Sequence, residues 1–254
     1  MQIGGLIIGD ELLSGKRRDR HMEFLITVLA RRGMELSFVR FVGDDPDLLT
    51  QSLQQTLDTQ ALVFSFGGIG ATPDDRTRQC FAQAAGVSLD LHPEAVAILE
   101  ERFGEQTYPH RIRMAELPLG CTLIPNPVNQ IPGFSMRHHH CVPGFPTMAW
   151  PMVEWVLDTH YTHLFSTVPV IERLILVSDT PESDLVPLME SVLERFPAIR
   201  MASLPASAHG CREVELGIKG PADQVAEATR WVIEALNQAA RPWVEKPQLS
   251  RADG

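Results

Sequence analysis

Apolar and polar residues follow two alternating periodicities along this chain. Residues 3–8 (IGGLII) form an unbroken apolar run ending in Gly9-Asp10, which predicts a strand buried on both faces. Over 19–32, Met22, Leu25, Ile26 and Leu29 recur at i, i+3, i+4 and i+7, the stripe of an amphipathic helix, and Gly33 stands where it should stop. A second strand is predicted over 36–42, ending in Gly43-Asp44, and a helix over 46–57 repeats the stripe with Leu48, Leu49 and Leu53. The third strand, 61–66, runs into Gly67-Gly68-Ile69-Gly70, and helices over 74–85 and 93–103 follow. Residues 105–150 are rich in Pro and Gly, with short strands predicted over 121–125 and 140–142 and a closing helix over 148–157.

Strands and helices in this order read as βαβ units. The expected fold is α/β, a three-layer αβα domain with a mostly parallel sheet over 1–163. Beyond it the pattern resets. A strand over 174–177, a helix over 182–196 with Leu185, Leu188, Met189 and Val192 on one stripe, strands over 199–204 and 213–218, and a helix over 222–236 predict a small α+β domain of order β-α-β-β-α, spanning 164–240. The polar tail, 241–254, is expected to be disordered.

Composition narrows the chemistry. The 254 residues carry 22 Lys+Arg against 32 Asp+Glu, a formal charge of −10, which argues against nucleic acid gripped by a broad basic face but leaves room for a small phosphorylated ligand. The N-terminus lacks a basic signal-peptide start, and no window reaches the ~18 consecutive apolar residues of a membrane span. The four cysteines have no C-x-x-C spacing. The expectation is a cytoplasmic protein with reduced thiols and no membrane partner.

In an open parallel sheet, ligands bind beyond the carboxyl ends of the strands. Three predicted strand ends carry Gly9-Asp10-Glu11, Gly43-Asp44-Asp45 and the loop Gly67-Gly68-Ile69-Gly70-Ala71-Thr72-Pro73-Asp74-Asp75. Glycines let backbone N–H groups approach an anion, and carboxylates beside them hold a hard divalent cation against phosphate oxygens. Each has a plainer role: Asp74 and Asp75 fall in a predicted first turn and Asp44 and Asp45 just before one, where acidic residues cap helices, and Asp10 suits a simple turn. The run His138-His139-His140-Cys141 reads as a solvated loop or edge strand rather than a metal site, and nothing marks a base for Cys141.

Those strand ends also carry a resemblance. GDELLSGKRRDRH (9–21), GDD (43–45), FGGIGATPDDRT (66–77), RMAELPLGCTLIPN (113–126), PGF (132–134) and VPGFP (142–146) resemble, in order, the motifs of the competence/damage-inducible protein A (CinA) family, whose first domain has the molybdopterin-binding fold. Pro181-Glu182-Ser183 sits where the family's second domain often has an E-S pair. Longer members carry a C-terminal nicotinamide-nucleotide amidase domain; the resemblance here is to the stand-alone form, and that activity is expected to be absent.

The resemblance implies a metal-dependent pyrophosphohydrolase acting on ADP-ribose or a similar nucleotide diphosphate. The alternatives are a non-catalytic molybdopterin- or nucleotide-binding protein and, from relatives in molybdenum-cofactor biosynthesis, adenylyl transfer to molybdopterin. It points to Asp44 and Asp75 as the functional carboxylates and holders of a divalent metal, Mg2+. Asp10 and Glu11 would offer a third contact or a water base. Gly67, Gly68, Gly70, Thr72, Asp74 and Thr77 would cradle phosphate, with Asn126, Pro143 and Gly144 as the opposite wall. By analogy with the fold's relatives, a homo-oligomer is expected. The chain departs from the family pattern at His21 (usually Asn), Phe66 (Ser), Ala71 (Pro), Asn129 (Gly) and Met148 (Glu).

Overall fold

The computed structural model describes residues 1–168, 170–206 and 213–246. Contacts divide it into two units, residues 1–165 and 166–254. In the first, β1 (Ile3–Ile8), β2 (Phe38–Val42), β3 (Leu62–Phe66), β6 (Thr122–Ile124), β7 (Gly133–Met136) and β8 (His139–Val142) form one sheet in the order β2-β1-β3-β8-β7-β6. The four strands β2, β1, β3 and β8 are parallel; β7 and β6 extend the sheet antiparallel at one edge. A separate ribbon pairs β4 (Leu89–Leu91) with β5 (Glu116–Pro118).

The helices of this unit are α1 (Asp10–Leu13), α2 (His21–Ala30), α3 (Pro46–Asp58), α4 (Thr77–Ala85), α5 (Pro93–Phe103) and α6 (Pro146–His160). Alternation along the strands splits the core between the two sheet faces. Ile3, Ile7, Phe64 and Phe66 pack with Leu25, Val28 and Leu29 of α2 and Met152, Val153, Val156 and Leu157 of α6. On the other face Leu6, Ile8 and Val63 pack with Leu49, Leu53 and Leu57 of α3, Phe81 of α4 and Leu99 of α5. Cover on both sides explains why IGGLII is buried throughout.

The second unit holds β9 (Val170–Ser178), α7 (Val186–Arg195), β10 (Arg200–Ala206), β11 (Glu213–Pro221), α8 (Ala222–Gln238) and β12 (Trp243–Lys246), with an antiparallel sheet ordered β10-β11-β9-β12. Its core joins Ile175, Val177, Val214, Leu216 and Ile218 of the sheet to Val192 of α7 and Val225, Ala228, Val232 and Leu236 of α8. The last strand corrects the expected disordered tail over 243–246. Trp243 packs against this core and its indole N–H donates to Asn237 (2.8 Å), while Lys246 meets Glu215 at 2.5 Å, which is enough to hold an edge strand in place. Residues 247–254 lie outside the described residues.

Two further expectations fail for local reasons. The helix expected from residue 74 begins at Thr77, because the Asp75 carboxylate closes a turn with Thr72 instead of capping the helix. The histidine run is a solvated loop only at His138, which is exposed in the turn before β8; His139 and His140 lie buried on β8 between β3 and β7. Hydroxyls make this affordable: His139 Nε2 meets Thr56 Oγ1 (2.9 Å), and His140 lies between Ser135 Oγ (2.7 Å) and Tyr161 Oη (2.8 Å). Burial pushes the two imidazoles down to about 4 and about 3, so both are neutral. Cys141 is fully buried with its thiol pushed far up, as suits an inert core residue. Among the described residues no helix is long and apolar enough to cross a membrane.

Candidate functional site

The chain leaves β1 toward β2 on one side and later enters β3 on the other, so the sheet order reverses at β1, and a cleft opens there beyond the strand ends. It holds about 880 Å³ and is lined from both sides by the segments following β1, β3 and β8. Glu11, Asp44, Asp74 and Asp75 form an acidic pole beside Gly67, Gly68, Gly70 and Thr72. Pro143, Gly144, Phe145 and Met148 form a largely apolar wall together with Met114, Asn129, Ile131 and Pro132.

The acidic pole is built by backbone groups. The Asp10 amide donates to Asp44 Oδ2 (3.0 Å) and the Asp44 amide donates to Asp10 Oδ1 (3.1 Å), a reciprocal clasp joining the ends of β1 and β2. Asp45, its sequence neighbour, is the cap: its carboxylate accepts from the amides of Asp47 and Leu48 at the start of α3. The plainer role thus holds for Asp45 and not for Asp44. Burial, with the like charges of Asp10, Glu11 and Asp74 added, holds the Asp44 carboxyl above the usual carboxylate range, against the pull of the Asp10 N–H.

The glycine loop is shaped by what folds back onto it. Gly68 has φ +69°, and a Cβ there would overlap Thr77 Oγ1; a Cβ on Gly70 would overlap the Asp75 carboxylate. Asp75 Oδ2 accepts from the Thr72 amide (2.9 Å) and hydroxyl (2.5 Å). Thr77, fully buried, donates its hydroxyl to the Gly67 carbonyl (2.9 Å) and its amide to the Gly68 carbonyl (2.9 Å). Thr77 thus lies outside the cleft lining and shapes the loop, which corrects its expected place in the cradle. Asn126 is a second correction. It is buried outside the cleft, donating to Asn129 Oδ1 (2.7 Å) and the Ile131 carbonyl (3.0 Å), and so braces the 126–131 loop. Asp10 likewise supports Asp44 from outside the cleft lining.

Several residues here were not expected from sequence. Arg78, only 1% exposed, donates through Nη2 to the Gly70 carbonyl (2.6 Å) and through Nη1 to the carbonyls of Arg113 and Glu116 (3.1 Å for the latter). The signal lay in its helical spacing: Arg78 shares the buried stripe of α4 with Phe81 and Ala82, and a cation on such a stripe requires partners. The departures from the family pattern meet in pairs. His21 stacks on Phe66 with ring centroids 4.2 Å apart, and Asn129 Nδ2 lies 3.1 Å from Met148 Sδ. The Gly144 carbonyl, 3.1 Å from His21 Nε2, can only accept, which fixes the proton on that nitrogen; burial lowers the imidazole's affinity for a second.

Residues 4–163 match the family described as Probable molybdopterin binding domain. The chain belongs to this molybdopterin-binding-domain family. Its kinship with CinA, expected from the motifs, is also borne out. The structure of CinA from Thermoplasma acidophilum, a protein of unknown function by its own description, superimposes with a TM-score of 0.57 and 27% identity over 62% of this chain and 98% of that one. A Thermoplasma acidophilum protein is 26% identical over 246 residues, covering 92% of this chain and 93% of its own. A CinA-like protein of Anaeromyxobacter dehalogenans is 33% identical over 202 residues, 76% of this chain and 49% of that protein, so this member of the family spans about half the length of that relative.

Proposed function

We propose that the cleft binds the diphosphate of a nucleotide such as ADP-ribose, or of a pterin-bearing relative, and that it hydrolyses the phosphoanhydride. The observation that carries this reading is the Asp10–Asp44 clasp, which sets the Asp44 carboxylate at the cleft beside Asp74, Asp75 and the glycine loop. Among the described residues, three or more His, Cys, Asp or Glu side chains nowhere form a ready metal cage. Mg2+ needs no such cage, since it keeps most of its shell as water and phosphate oxygen and takes only one or two carboxylates. Asp44 and Asp75 would hold it, and its charge would offset that gathering on the phosphates in the transition state.

The chain's own residues then have distinct tasks. Loop amides at Gly68–Gly70 would orient the phosphate. Glu11, which lines the cleft, accepts a proton from the attacking water. Water adds to one phosphorus, the bridging P–O bond breaks, and ADP-ribose gives AMP and ribose 5-phosphate. Arg78 holds the Gly70 carbonyl and so braces the loop.

Met148 and Asn129 favour a second reading, binding without turnover, because a thioether facing an amide leaves that wall with no proton-transfer group. Incubation with ADP-ribose separates the two. Mg2+-dependent AMP release that disappears in Asp75→Ala supports hydrolysis. ADP-ribose that stabilises the fold but is recovered intact supports binding alone, and ATP consumption requiring molybdopterin would replace both with adenylyl transfer.

A further inference from the structure

The apolar wall of the cleft carries a residue whose exposure packing does not explain. Phe145 is 55% exposed, belongs to none of the hydrophobic clusters and lines the cleft mouth. Its backbone is fixed: as N-cap of α6, followed by Pro146, its carbonyl accepts from the amides of Met148 (3.0 Å) and Ala149 (2.9 Å). An exposed aromatic ring thus projects at the cleft from a fixed backbone position.

Arg17 connects this ring to the acidic pole. Its amide donates to the Glu11 carbonyl (3.0 Å), its guanidinium lies 3.9 Å from the Glu11 carboxylate, and its Cζ sits 5.8 Å from the Phe145 ring centroid. One side chain therefore touches both ends of the cleft, presenting a planar cation beside a planar hydrocarbon. Stacking on such a pair suits a flat heterocycle attached to an anion.

We infer that Phe145, with Arg17 beside it, is the stacking platform for the planar heteroaromatic end of the ligand, purine or pterin, and so determines ring specificity. This rests on the phosphate-binding reading of the same cleft. The test is titration calorimetry in Mg2+ with two probes, AMP and inorganic pyrophosphate, on wild type, Phe145→Ala and Phe145→Trp. Phe41→Ala, a substitution at an exposed phenylalanine outside the cleft, serves as control.

Wild type should bind both probes. Phe145→Ala should lose roughly tenfold in AMP affinity with less than twofold change for pyrophosphate, and Phe145→Trp should restore AMP binding. An equal loss for both probes in Phe145→Ala overturns the platform and leaves Phe145 a wall residue. AMP affinity unchanged in Phe145→Ala overturns it while the phosphate site stands. If wild type binds neither probe, the phosphate reading fails and the platform with it. Competition of 6-hydroxymethylpterin against AMP in wild type but not in Phe145→Ala would identify the ring as a pterin.

Discussion

Replacing Arg78 by Met tests how the glycine loop is held. The side chain fits a buried helical position but removes both Nη groups, which serve three backbone carbonyls, those of Gly70, Arg113 and Glu116. A buried carbonyl left without a donor costs about 1–3 kcal/mol. Loss of a buried guanidinium, whose Nε has no partner, recovers part of its desolvation. The net expectation is a destabilisation of about 3 kcal/mol, roughly 6–12 °C in Tm for a domain of this size. Arg78→Lys keeps the charge but not the fork that spans both sides, so it should fall between the two. Urea denaturation gives the energy, and amide exchange over residues 70–75 reports the loop. A loss under about 1 kcal/mol with unchanged exchange at those amides would refute the argument that Arg78 braces the site.

Asp44→Asn should raise Tm at neutral pH by about 1–3 °C even as it weakens metal binding, because a carboxyl whose folded pKa is raised costs stability once pH rises above it; a lower Tm would contradict the account of the acidic pole. His139 is buried neutral with its pKa near 4, so its contribution is complete above the unfolded value of about 6.5 and is lost as pH falls from there toward 4. His139→Gln should therefore flatten the acid slope of stability by roughly 1–3 kcal/mol over that window, measured as Tm against pH. Identical slopes in the two proteins would show that the imidazole is not held neutral.

The βαβ order was legible because strand and helix periodicities are local: Ile3–Ile8 and the leucine stripe of α3 declare themselves without reference to the rest of the chain. So was the acidic pole, since a parallel sheet delivers every strand end to one edge and Asp10, Asp44 and Asp75 follow strand ends. What stayed hidden depends on partners distant in sequence. Asp44 and Asp45 look alike until one turns to Asp10 and the other to its own helix. Thr77 and Asn126 carry polar side chains near the loops, yet both spend them on backbone carbonyls inside the protein. The histidines of β8 look solvated until Thr56, Ser135 and Tyr161 are brought beside them. Short strands such as Gly133–Met136 and Trp243–Lys246 are too brief to show a period at all.

The central claim, that Asp44 and its neighbours form a cation-assisted phosphate site, is tested most directly by titrating ADP-ribose into wild type and Asp44→Asn, each in Mg2+ and in EDTA, with turnover followed in parallel. The account predicts binding by wild type only with Mg2+ and a loss of tenfold or more in Asp44→Asn. Equal affinity in Mg2+ and EDTA, or in both proteins, would contradict it.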